Sequence, residues 1–72
     1  MEEIILDILR NIFKLDSVDK DISQNNCDKW DSMNHLNLVV ELESKFDIYL
    51  EPEEIAKMKN FEEIARVISS KI

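Results

Sequence analysis

Three side chains in the stretch "KWDSMNHL" could do chemistry: Asp31, Ser32 and His35. An acid, a hydroxyl and an imidazole are the parts of a nucleophilic hydrolase. That chemistry needs a base within reach of the nucleophile and a third group to orient the base. His35 follows Ser32 by three positions, so the two can share one region of a helix surface. One histidine beside one exposed serine is a poor case for hydrolysis. Metal chemistry fares no better, because Cys27 is the only cysteine and His35 the only histidine. They are too few for a zinc ligand set, and a single cysteine allows no internal disulfide. What remains is the Ser32 hydroxyl itself, as a point of attachment.

The elements around these residues read as helical. The chain has 72 residues, with no glycine and one proline. Its length fits one small domain spanning residues 1–72. A chain this short buries only roughly 60% of its unfolded surface, which argues against an enclosed active site. Long runs free of helix breakers predict an all-α domain. The pattern is a small four-helix bundle with three longer helices, a short third one and a long loop between the first two.

In "EEIILDILRNIFKL", apolar residues at Ile4, Ile5, Ile8, Leu9, Ile12 and Phe13 form one helical stripe over 2–15. Glu2 and Glu3 sit at its electropositive start, and Arg10 and Lys14 towards its end. Residues 16–31 are rich in Asp, Ser and Asn and have no period, which predicts a long loop. Val18 and Ile22 would pin it to the core. Asn25 and Asn26 would supply the left-handed backbone that glycine provides elsewhere. Residues 32–46 form the second helix. Pro52 suits the first position of a short helix near 52–58. Asn60 followed by Glu63 resembles a capping box opening a last helix at 61–71, with Phe61, Ile64, Ala65 and Ile68 on its inner face.

Stepping about 100° per residue along the second helix separates two stripes. Leu38, Val39, Leu42 and Phe46 gather on one side as the core face. Met33, Leu36 and Val40 gather on another, near Ser32 and Glu43. A small bundle offers a helix one core, so the second stripe either faces solvent or packs under the 16–31 loop. Exposed apolar groups rimmed by charge mark docking surfaces, and methionine adapts to varied partners. Glu41 and Glu43 lie in the second half of this helix, where carboxylates oppose the dipole by a few tenths of a kcal/mol. A basic partner or plain solubility would account for them.

At the first turn of that helix, Ser32 lies beside backbone N–H groups that have no intrahelical partner. A phosphate ester there is stabilised by those donors and by the dipole. The ordinary reading of Asp-Ser before a helix is a cap, with Ser32 capping, or Asp31 capping and Ser32 as first helical residue. Both readings stand at this point.

Charge and hydropathy narrow the partners. Sixteen acidic and nine basic residues give a net charge of −7. That repels nucleic acid and anionic lipid and favours partners with basic faces, although acidity also serves solubility. No basic segment leads into an apolar run, so no signal peptide is expected. No stretch approaches the roughly 18 apolar residues of a membrane span. The cytoplasm is the simplest address.

The whole chain resembles the acyl carrier proteins. That family's hallmark is Asp-Ser-Leu at the start of the second helix, and here it reads Asp31, Ser32, Met33. The likeness continues through "LNLVVELESKFDIYLEPEEI", with Glu41, Leu42, Glu43 and Phe46 in place, and into "NFEEIARVI". Lys29-Trp30 stand where the family often has a glycine, and Met33 replaces the usual leucine. The resemblance implies that Ser32 carries a covalent 4′-phosphopantetheine arm and that Asp31 is the acid beside it. It places Met33, Leu36, Val40, Glu41 and Glu43 on the helix that partners recognise. It implies no catalysis by the chain itself. A phosphopantetheinyl transferase would attach the arm using Mg²⁺ and coenzyme A. Acyl- or aminoacyl-loading and transfer enzymes with basic patches would be the further partners, and the carrier would act as a monomer. Fatty acyl, specialised acyl and aminoacyl loads all fit. The "WDSM" start differs from the commonest fatty-acid carriers and points towards a dedicated pathway, such as surface-glycan or secondary-metabolite assembly.

Four smaller readings complete the picture. Ile5, Ile8, Leu42, Phe46, Leu50, Ile64 and Ile68 would wall an acyl pocket or form an ordinary core. His35 would touch the phosphate, or stack on Trp30 or contact the loop. Trp30 would anchor the loop or shape partner access. Cys27 reads as a small loop hydrophobe. The competing function is an unmodified helical interaction module docking through the exposed face of helix 2.

Overall fold

The computed structural model describes residues 1–72 as four helices: α1 Glu2–Phe13, α2 Ser32–Phe46, α3 Pro52–Lys57 and α4 Phe61–Ser69. The expected order of three longer helices with a short third is present, and so is the long loop between α1 and α2.

α1 forms because its apolar residues recur at helical spacing. Ile5, Ile8, Leu9 and Phe13 are buried. Ile4 is mostly outside the core at 39% exposure, and Ile12 packs only partly against it. The stripe is therefore narrower than the run of six residues implied. α1 stops two residues short of the expected end. Lys14 takes φ 56° and ψ 48°, and its N–H reaches back to the Arg10 carbonyl.

The chain thus solves its helix ends without glycine, but not where the sequence pointed. The only positive-φ residues are Lys14 and Asp47, each just past a helix end. Asn25 and Asn26 keep negative φ, which corrects the expectation that they would be left-handed. Asn26 stitches the loop instead: its side chain accepts from Ser23 N–H at 2.9 Å and donates to the Asp21 carbonyl at 2.8 Å.

The loop is fastened to the far side of the molecule. Ser23 and Asn60 form an isolated antiparallel bridge, with Gln24 N–H donating to Lys59 O and Phe61 N–H to Ile22 O. Ile22 is buried and Val18 half-buried, so both pin the loop as expected.

Fifteen buried residues, all hydrophobic, make one core. Leu38, Val39 and Leu42 supply the α2 part, while Phe46 packs against it only partly. From α4 come Phe61, Ile64, Val67 and Ile68. Ile5, Ile8, Leu42, Leu50, Ile64 and Ile68 are all core members. α3 is the least embedded element, with none of its six residues buried. α4 ends at Ser69, two residues early, where Ser70 N–H closes on the Arg66 and Val67 carbonyls.

Candidate functional site

The site is the junction between the loop and α2. Asp31 is extended (φ −96°, ψ −176°) and its carboxylate accepts from Asn34 N–H at 2.8 Å. Its carbonyl accepts from His35 N–H at 2.8 Å. Asn34 returns a bond from its side-chain amide to the Lys29 carbonyl at 2.8 Å. Asp31 is thus the cap, and Ser32 is the first residue of α2 and exposed. The hydroxyl is not needed to close the helix. The electropositive helix end lies beside it, and the Asn34 and His35 amides of the first turn are already taken.

Behind this exposed face lies a chain of three neutral groups. Trp30 is 5% exposed and packs on Phe13 with ring centroids 5.2 Å apart. Its indole Nε1–H donates to His35 Nδ1 at 2.9 Å, and His35 Nε2 lies 2.9 Å from the Ile55 carbonyl. An indole N–H can only donate and a carbonyl can only accept. Nδ1 must therefore be bare and Nε2 protonated, so the imidazole is neutral and in one tautomer. The Trp30 and His35 rings lie edge to edge, with centroids 6.2 Å apart and 27° between their planes. His35 is committed to Trp30 and α3, and Trp30 anchors the loop. Cys27 packs partly against the core, as a small loop hydrophobe would.

The second stripe of α2 faces solvent rather than the loop. Met33 is 73% exposed, Val40 64% and Leu36 60%. Glu41 is exposed on the same helix. Glu43 is different: it is half-buried, and its carboxylate accepts from Leu50 N–H at 2.8 Å. Sequence periodicity placed it near the stripe and missed this bond, because the partner lies beyond the end of the helix.

Two polar bonds of Glu54 steady α3, one closing its own first turn and one reaching the C-terminal segment. Glu54 accepts from Glu51 N–H at 2.8 Å and pairs with Lys71 at 2.9 Å. The Glu51 backbone N–H, followed by Lys71, holds its carboxyl below the usual range. At α4, Asn60 caps through Glu63 N–H at 2.8 Å, but Glu63 turns to Arg66 rather than back to Asn60. The capping box foreseen there is only half formed. No helix is long and apolar enough to cross a membrane.

The arrangement is a four-helix bundle with an exposed serine opening α2 and an exposed apolar stripe beside it. The fold is similar to the solution NMR structure of the holo acyl carrier protein from Geobacter metallireducens. The TM-score is 0.86 and the identity 33%, over 97% of this chain and 83% of that one. No protein-family model matches the sequence, and no curated protein does either. At that identity and coverage the chain belongs to the acyl carrier protein family, and its role is that of a carrier, not an enzyme.

Proposed function

We propose that this chain holds acyl or aminoacyl groups on a 4′-phosphopantetheine arm attached to the Ser32 oxygen. The observation that carries this reading is the division of labour at the start of α2. Asp31 closes the helix, which leaves Ser32 exposed and free for substitution. A phosphodiester fits the place, because the helix dipole favours negative charge there. The arm would supply a terminal thiol that carries the load as a thioester. The protein's own part is to present that arm and to be recognised.

Recognition rests on α2. Met33, Leu36 and Val40 offer adaptable apolar contact, with Glu41 as an accessible charge and Glu43 at the margin. The partners are a phosphopantetheinyl transferase, with Asp31 the acid next to the reacting hydroxyl, and loading and transfer enzymes with basic faces. With a net charge of −7, such encounters are steered and salt-sensitive. The chain works as a monomeric single domain in the cytoplasm, and a dedicated assembly pathway is the setting we favour over bulk fatty-acid synthesis.

Incubation with coenzyme A, Mg²⁺ and a promiscuous phosphopantetheinyl transferase tests the assignment by intact mass. One arm should be added to the native chain and none to Ser32→Ala. If the native chain stays unmodified while a control carrier is loaded, the unmodified interaction module becomes the better reading.

A further inference from the structure

We propose that His35 is a positioning residue that couples α3 to the residues flanking Ser32, so that the two move as one unit. α3 has no buried residue of its own. Its apolar anchorage is Ile55, which packs partly against the core between the buried Leu50 and Met58, so polar ties add to its hold and losing one should loosen it. One tie comes from the C-terminal side through Lys71 and Glu54. The other comes from α2, where His35 Nε2–H reaches the Ile55 carbonyl. The same ring accepts from Trp30, and Trp30 stands directly before the Asp31–Ser32 pair. His35 therefore joins a segment 20 residues ahead in sequence to the end of the loop that delivers Ser32.

The direction of both bonds is fixed, because only the neutral Nε2–H tautomer satisfies indole and carbonyl together. If either bond breaks, the ring loses the constraint that aims it at the other partner. Coupling of this kind is reciprocal: loosening the indole must loosen α3, and loosening α3 must loosen the indole. The joint is a property of the unmodified chain. Its effect on how the arm is presented rests on the carrier reading.

Amide hydrogen exchange and imidazole ¹⁵N shifts on the unmodified 72-residue chain test the joint apart from any loading. The ¹⁵N shifts should report a bare Nδ1 and a protonated Nε2. Trp30→Phe does not alter any group that bonds to α3, yet it should speed exchange of the α3 amides by several-fold to about tenfold relative to α1 and α4, the size expected for losing one hydrogen bond. His35→Leu should do the same. His35→Gln, whose amide can accept and donate in the same sense, should restore much of the protection. In the other direction, Lys71→Met should speed exchange of the Trp30 indole proton. If α3 exchange follows global stability in every variant, or if Gln protects no better than Leu, His35 is ordinary packing and the proposal is overturned. These readouts stand even if Ser32 proves unmodified, so the two failures are distinguishable.

Discussion

The Glu43 carboxylate accepts the Leu50 backbone N–H at 2.8 Å, across the turn that leaves α2. Leu50 is in the core at 1% exposure. This acid therefore fixes the descent from α2 towards α3, and its charge is partly spent inside the protein. Its place near the exposed stripe of α2 points to partner contact. The bond reverses that emphasis.

Glu43→Lys should cost stability, because it strands a half-buried N–H and places an ammonium where a carboxylate accepted. We expect about 1–3 kcal/mol, read from denaturant midpoints. Glu41→Lys, at an exposed position, should change stability by less than about 0.5 kcal/mol and act on association rate instead. Equal stability losses would mean that the Leu50 bond contributes nothing particular.

Capping and attachment separate at neighbouring residues. Asp31→Ala removes the acceptor for Asn34 N–H and should destabilise by about 0.5–2 kcal/mol. Ser32→Ala should leave stability within about 0.5 kcal/mol of the native chain while abolishing modification. Thermal melts of the two variants side by side decide the matter. A large loss for Ser32→Ala would place the serine in the cap and weaken its assignment as a free acceptor.

The two faces of α2 should respond differently to truncation. Leu42 is fully buried at 0% exposure, so Leu42→Ala should cost about 2–5 kcal/mol. Val40 is 64% exposed, and Val40→Ala should be nearly neutral for folding while weakening partner binding. If binding is unchanged across several partner enzymes, the stripe is not the docking face.

Glu54 gives the fold a defined acid dependence. Its ionised form is favoured by the Glu51 N–H and by Lys71. Its stabilising effect is thus complete above the unfolded carboxyl value of about 4.3. It is lost as pH falls through the lower folded value. Glu54→Gln should flatten the acid limb of the stability profile below about pH 4.3. Urea midpoints from neutral pH to pH 3 would show this, and an unchanged slope would exclude the contribution.

Much of this architecture was legible because helices announce themselves locally. The apolar spacing gave α1 and α2 within two residues, Pro52 marked the first residue of α3, and Asn60 marked the cap of α4. Ser32 was legible as a helix start for the same reason. Whether its neighbouring stripe faced solvent was not, because periodicity yields angles on a helix and not what lies opposite. His35 escaped in part. Its contact with Trp30 lies within one stretch of sequence, but the Ile55 carbonyl is distant and carries no side-chain signature. The left-handed turn at Lys14 escaped because lysine has no special tolerance for positive φ. Its conformation is imposed by where α1 must end, not by residue type.

The backbone pairing of Ile22 and Ser23 with Asn60 and Phe61 has a consequence for biosynthesis. A chain emerging from the ribosome exposes the 16–31 segment long before its pairing partner exists. Until Phe61 and the α4 side chains that follow have cleared the exit tunnel, that segment lacks the Lys59 carbonyl that accepts Gln24 N–H, the Phe61 N–H that donates to Ile22, and the apolar groups of α4. Folding of this protein should therefore await α4 and occur in one step rather than helix by helix.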